Sequence, residues 1–149
     1  MPDPTYQPKI YRKSGGDELV VASGGKITQE AGGSVVQPVI AKAANFNAAA
    51  GESGAVYVIG ATDVVATLPA TQAGLRYRFC VSAVSAVTGL AISPQAADKI
   101  MGNGFTSADN KDAINTAATD REGDMIEVIG DGIDGWYVTN IIGTWAREA

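Results

Sequence analysis

Two glycine pairs, Gly24-Gly25 and Gly32-Gly33, stand eight residues apart, and in the same register Tyr11, Leu19, Ile27 and Val35 fall at one repeat position. Adjacent glycines reach positive φ without steric penalty, so each pair can turn a corner, while the residues between them carry a recurrent apolar position among β-formers. The spacing predicts short stacked strands with glycine corners, the pattern of a solenoid. Two good repeats and a partial third cannot bury such a face within one chain. Two arrangements satisfy this. In one, three chains form a threefold β-structure with Leu19, Ile27 and Val35 meeting on its axis; in the other, a simple β-meander packs on the domain that follows.

Around this segment the chain changes character twice. In residues 1–17, Pro2, Pro4 and Pro8 interrupt Tyr6, Ile10 and Tyr11, which blocks helix and predicts an extended arm. Such an arm is either a frayed terminus or a strap that orders on a partner. Residues 18–54 hold the octads and then a small-residue run, Ala41-Lys42-Ala43-Ala44-Asn45-Phe46-Asn47-Ala48-Ala49-Ala50, that reads as a short helix or, in preference, a linker. Residues 55–149 alternate β-branched or aromatic runs with Gly, Pro, Asn and Asp turns. Strands are expected at Ala55–Ile59, Val64–Leu68, Leu75–Val81, Thr88–Ile92, Asp124–Ile129 and Trp136–Ile142, with Gly130–Gly135 closing a hairpin. In the third, Leu75, Tyr77, Phe79 and Val81 alternate with Arg76, Arg78 and Cys80, a half-buried strand. Six strands in this span predict a small β-barrel or β-sandwich. The expected fold class is therefore all-β.

With 46% hydrophobic and 18% charged residues, the chain has enough apolar surface to order itself. Its net charge of −5 disfavours nucleic-acid binding, which depends on Lys and Arg at phosphates. No stretch approaches the roughly 20 apolar residues of a membrane helix, and Met1–Lys9 has no apolar signal core. Folding in the cytoplasm where the chain is made is the expectation.

Catalytic equipment is sparse. There is no histidine, which removes the commonest general base and transition-metal ligand. The single cysteine, Cys80, lies in a strand-like run and reads as a buried small hydrophobe. Asp109-Asn110-Lys111-Asp112 and Asp131-Gly132-Ile133-Asp134-Gly135 lack the ligand spacing of a calcium loop. Gly102-Asn103-Gly104-Phe105 lacks the third glycine of a dinucleotide fingerprint and reads as a turn. Asp98, Asp120, Glu122, Asp124 and Glu127 could in principle serve a carboxylate-only glycosidase, but nothing in their spacing fixes a pair. No catalytic residue, metal site or cofactor is expected.

The string Lys13-Ser14-Gly15-Gly16-Asp17-Glu18-Leu19-Val20-Val21-Ala22-Ser23-Gly24-Gly25-Lys26-Ile27-Thr28 is similar to the opening of many phage virion proteins. Three later motifs resemble the same group: Thr67-Leu68-Pro69-Ala70 with Gly74-Leu75-Arg76-Tyr77-Arg78-Phe79, then Ala97-Asp98-Lys99-Ile100-Met101-Gly102, then Gly135-Trp136-Tyr137-Val138 running to Gly143-Thr144-Trp145. Together they cover most of residues 10 to 146 and resemble the trimeric, β-rich head decoration (cement) proteins of tailed bacteriophages. The resemblance implies a non-enzymatic homotrimer made in the bacterial host cytoplasm. In the virion it would sit on the outer surface of the head at threefold and quasi-threefold positions and brace the major capsid protein, without nucleic acid or membrane.

On that basis Leu19, Ile27 and Val35 become the candidate trimer interface. Tyr6, Ile10, Tyr11 and Arg12 become the candidate capsid contacts, since aromatic and Arg side chains are the usual anchors of interfaces. Tail fibres and spikes reuse similar β-modules, so a trimeric receptor- or glycan-binding module is the alternative, with Trp136-Tyr137, Tyr57 and Trp145 as its candidate platforms. A fragment of a secreted carbohydrate hydrolase is a third reading.

Overall fold

The computed structural model describes residues 10–13, 15–16, 19–28, 30–31, 33, 36–84, 87 and 89–149. Its architecture is all-β, and the chain divides into two compact units, Met1–Val36 and Gln37–Ala149.

In the first unit, β1 (Ile10–Arg12) and β2 (Leu19–Val21) form an antiparallel hairpin that pairs Ile10 with Val21, Tyr11 with Val20 and Arg12 with Leu19. The amide of Gly16 donates to the Lys13 carbonyl at 2.9 Å and closes the turn. The glycine pairs act as the repeat suggested, since Gly25 N–H donates to Ala22 O and Gly33 N–H to Glu30 O. What lies between them differs from the expectation. Lys26, Ile27 and Thr28 are in no strand, and among the described residues of this unit the one ladder is antiparallel, not a parallel stack. The octad register also fails within the hairpin: Tyr11 and Leu19 face opposite sides, because Leu19 opposes Arg12.

The second unit begins at Gln37, so residues 38–54 are not a linker. They form β3 (Val39–Lys42), β4 (Phe46–Asn47) and one 3₁₀ turn at Ala50–Glu52. There follow β5 (Val56–Ile59), β6 (Val65–Thr67), β7 (Arg76–Val81) and β8 (Gly89–Ser93). These six strands alternate between two sheets and pair in parallel with the strand one coil earlier: Val39 with Val56 and Val56 with Arg78 in one sheet, Phe46 with Ala66 and Ala66 with Ile92 in the other. The front of the domain is thus a two-sided coil. Five further strands complete it: β9 (Lys99–Met101), β10 (Ala113–Thr116), β11 (Met125–Gly130), β12 (Gly135–Ile142) and β13 (Trp145–Arg147). The finished sheets run β3-β5-β7-β11-β12-β9 and β13-β10-β8-β6-β4.

Alternation decides which side chains meet between the sheets. Tyr77, Phe79 and Val81 of β7 point inward with Tyr57, Ile59, Ile126, Val128 and Trp136, against Ala66, Leu90, Ile92 and Ala113 from the other sheet. Tyr57 stacks on Phe79 with centroids 5.3 Å apart, and Tyr77 meets Trp136 at 5.6 Å. Aromatic contacts of this kind add to the area term of the core.

The Gly130–Gly135 hairpin forms as expected. Asp131 Oδ1 accepts the N–H groups of Ile133, Asp134 and Gly135, so this acidic loop uses its carboxylate to hold its own turn. Gly135 itself, at φ +149°, lies against the neighbouring strand: a Cβ there would fall 2.2 Å from the Lys99 carbonyl oxygen.

Candidate functional site

Those residues singled out from sequence in the first unit that the structure describes are uncovered in the single chain. Leu19 is 58% exposed, Ile27 64% and Tyr11 42%, and Ile10 and Arg12 are exposed beside them. Ile10, Arg12 and Leu19 share one face of the hairpin and Tyr11 lies on the other, so the candidate anchors do not form one surface. Tyr6 and Val35 lie outside the described residues.

Sequence reasoning missed a second uncovered apolar surface. On the outer face of the six-stranded sheet, cross-strand pairing sets Ala41, Val58, Cys80, Met125 and Ile142 in one row, with Val39, Val56, Ile129 and Tyr137 in the rows beside it. Val39, Tyr137 and Ile142 are exposed and most of the others are half-buried. Burial pushes the Cys80 thiol above its ordinary value, with the Arg78 charge opposing only in part. The signal was present in the sequence, as β5, β11 and β12 are apolar at both parities, a pattern expected of strands covered on two faces.

A charged cluster interrupts that face. Glu127 is buried and accepts hydrogen bonds from Arg78 Nη2 at 2.6 Å, Arg78 Nε at 3.0 Å and the Thr139 hydroxyl at 2.9 Å, with Arg76 Nε 3.6 Å away. Burial pushes its carboxyl up, but the hydrogen bonds from Arg78 and Thr139 and the two Arg charges outweigh this and hold it below the usual glutamate range.

Two of the other carboxylates considered for catalysis are separately employed. Asp98 Oδ2 accepts the Thr71 amide, and buried Asp124 accepts the Arg121 amide and the Asn115 side-chain amide through one oxygen. Asp120 is buried and Glu122 is exposed. Among the described residues, no three His, Cys, Asp or Glu side chains are grouped so as to hold a metal ion, and no helix is long and apolar enough to cross a membrane.

Of the proposed aromatic platforms, Trp136 and Tyr57 are core residues with no exposure, while Tyr137 lies on the outer sheet face. Trp145 differs. It and Arg147 stand on β13, opposite Asn115 and Ala113, and so face the inter-sheet side at the edge of the five-stranded sheet. The indole N–H of Trp145 donates to Ile142 O at 2.9 Å, which fixes the ring. Phe105 closes against Gly102 in a tight turn whose second residue, Asn103, has a left-handed φ of +49°. Asn103, Gly104, Phe105, Trp145, Ala146 and Arg147 together line a cleft of about 200 Å³.

No protein-family model matches the chain, and no curated protein matches it at a significant level. The three later sequence motifs fall on the structural frame of the domain. Leu68, Tyr77, Phe79, Ile100 and Trp136 are all buried in the core, so these motifs specify packing.

Proposed function

We propose that this chain is a structural virion protein that assembles as a homotrimer and binds the outer surface of a tailed-phage head at threefold and quasi-threefold positions. There it would stabilise the shell by clamping neighbouring copies of the major capsid protein. The observation that carries the proposal is the uncovered apolar content of the first unit. Ile10, Tyr11, Leu19, Val21, Ile27 and Val36 are all exposed in one chain, and the described residues of the segment form a two-stranded hairpin and irregular turns. An isolated hairpin is marginal in water, and its apolar side chains acquire a role when other chains cover them. A trimer would present three such segments at one lattice point, and modest contacts multiply through effective concentration. The similarity of residues 13–28 to the opening of phage virion proteins supports the same reading.

The test is to incubate the purified protein with undecorated, expanded phage heads and count bound copies. Saturation at a copy number matching the threefold and quasi-threefold positions supports the proposal. Absence of binding to heads, together with adsorption to host cells, overturns it in favour of the second reading. That second reading is a receptor- or glycan-binding module of a tail fibre or spike, and the cleft beside Trp145 favours it.

A further inference from the structure

We propose that the cleft formed by Trp145, Phe105, Asn103 and Arg147 binds one pyranose ring bearing a carboxylate, a uronic-acid unit of an acidic polysaccharide. The proposal names a ligand for the second reading and holds wherever in a particle the chain sits. Two aromatic side chains, Trp145 and Phe105, contribute the apolar part of a cleft whose wall is mostly polar. Because the Trp145 N–H is already donated to Ile142 O, the indole meets a ligand in the cleft through its ring and not through a hydrogen bond. Sugar rings present a face of C–H groups that packs on such a surface, while their rim needs polar partners.

Arg147 supplies the charge. The residue is half-buried and has no ion pair among the described residues, and a planar fork of N–H donors fits a carboxylate in two-point contact. Asn103, on the tip of the turn, brings an amide with both donor and acceptor capacity for hydroxyl groups. β13 is the edge strand of its sheet, so one side of its backbone is also unpaired with any strand.

Size and charge choose among anionic rings. At about 200 Å³ the cleft is smaller than the about 300–1,000 Å³ typical of sites that engulf a whole small molecule, and it suits one ring of a longer chain that continues into solvent. A nucleotide with base, ribose and phosphate exceeds that room. A phosphate-rich polymer would also meet a chain with 16 acidic and only 11 basic residues, where neutralising several phosphates is unfavourable. A single carboxylate on a neutral ring needs one cation, which Arg147 provides.

The experiment uses the full chain labelled with ¹⁵N. Its two tryptophans give two indole N–H resonances, and Trp145→Phe assigns them. Titration with oligomers of glucuronic acid is expected to shift the Trp145 resonance saturably and to leave that of buried Trp136 unmoved. Glucose oligomers of the same length, and a nucleoside monophosphate, are expected to bind at least about tenfold more weakly, the scale of one lost charge-assisted hydrogen bond. Arg147→Gln should weaken uronate binding by about tenfold to a hundredfold, and Arg147→Lys should restore part of it. An unmoved Trp145 resonance, equal response to acidic and neutral oligomers, tighter nucleotide binding, or unchanged affinity in Arg147→Gln would each overturn the proposal. Head decoration and cell adsorption by Arg147→Gln, measured in parallel, separate loss of this site from failure of either functional reading. Decoration should be unaltered by the substitution, whereas adsorption should fall if the cleft is what a cell-surface polymer occupies.

Discussion

Arg78 and Glu127 lie opposite each other on adjacent antiparallel strands, with the guanidinium 2.6 Å from a carboxylate that is almost wholly buried. The pair sits among valines, Cys80 and Met125 on the outer sheet face, where it neutralises itself. Arg78→Ala leaves Glu127 with Arg76 at longer range and Thr139. Removing one partner of a fully buried pair costs about 3–5 kcal/mol, and the partial exposure of Arg78 reduces the expected loss to about 1–2 kcal/mol. Chemical denaturation at neutral pH measures it.

The same pair sets an acid-side dependence. Glu127 has a folded-state pKa below its ordinary value of 4.5, so its contribution is present above that value and is lost as pH falls through the lowered one. The difference in stability between wild type and Arg78→Ala should therefore shrink steadily below about pH 4.5. A difference that stayed constant down to acid unfolding would mean that Glu127 is not the group responsible.

Tyr57 sets the alkaline side. Its hydroxyl donates to Glu52 at 2.6 Å, and burial, followed by that carboxylate, pushes its ionisation well above the ordinary value of 10. A raised folded-state pKa means that the stabilisation is complete below the unfolded value and declines as pH rises past it. Thermal midpoints should fall above about pH 10, less steeply in Tyr57→Phe. At neutral pH the same substitution should cost about 1 kcal/mol for the lost hydrogen bond.

Gly135→Ala should be strongly damaging to the second unit. The added Cβ meets the Lys99 carbonyl and amide at 2.2 and 2.5 Å, both backbone atoms, at a φ unfavourable to L side chains. A loss of about 2–4 kcal/mol is expected, by thermal or urea unfolding, through forced separation of β9 from β12.

Ile27→Asp tests assembly without testing the fold. Ile27 is exposed in the single chain, so the substitution should leave the circular dichroism and melting of the second unit unchanged. If three chains bury this side chain together, each loses roughly 2–4 kcal/mol of packing, and confined carboxylates repel one another. Mass photometry should then show monomers where the wild type gives trimers, and head binding should be lost with them. Glu30→Ala should be silent by comparison, as Glu30 is exposed. The expected contrast rests on apolar against polar character, because Ile27 belongs to no strand whose alternation would place the two on opposite faces.

How far the fold was legible follows the strength of each local signal. β7 was readable because Tyr77, Phe79 and Val81 alternate with Arg76, Arg78 and Cys80 over a full strand. β5, β6, β8, β11 and β12 were found within a residue or two at either end. β9 and β13 have only three residues each, too few to show a period, and β10 carries Asn115 in a core position. That polar residue is tolerated because its side-chain amide donates to Asp124 and to Thr144 O, partners remote in sequence. β3 and β4 were hidden in a run of alanines, and they are strands because parallel neighbours β5 and β6 pair with them.

The candidate site was legible in part. The sequence offers Trp145 as one candidate aromatic platform, but only the structure separates it from Trp136, and nothing in the sequence brings Asn103 and Phe105 beside it. The octads correctly marked the glycine turns at Gly25 and Gly33. Their apolar register did not carry through the hairpin, since the β1–β2 turn pairs Leu19 with Arg12 and leaves Tyr11 on the reverse face.

The alternation of β3 to β8 between the two sheets has a consequence for synthesis. Within this coil neither layer grows ahead of the other, because consecutive strands belong to opposite sheets, so the two layers lengthen together as the chain leaves the ribosome. A nascent chain that has reached Ser93 carries the whole coil but none of β10, β11 and β12, and β7 and β8 are then bare edges lined with hydrogen-bonding groups. A chain truncated just after Ser93 should therefore be the most aggregation-prone intermediate, and addition of β10 and β11 should cap both edges.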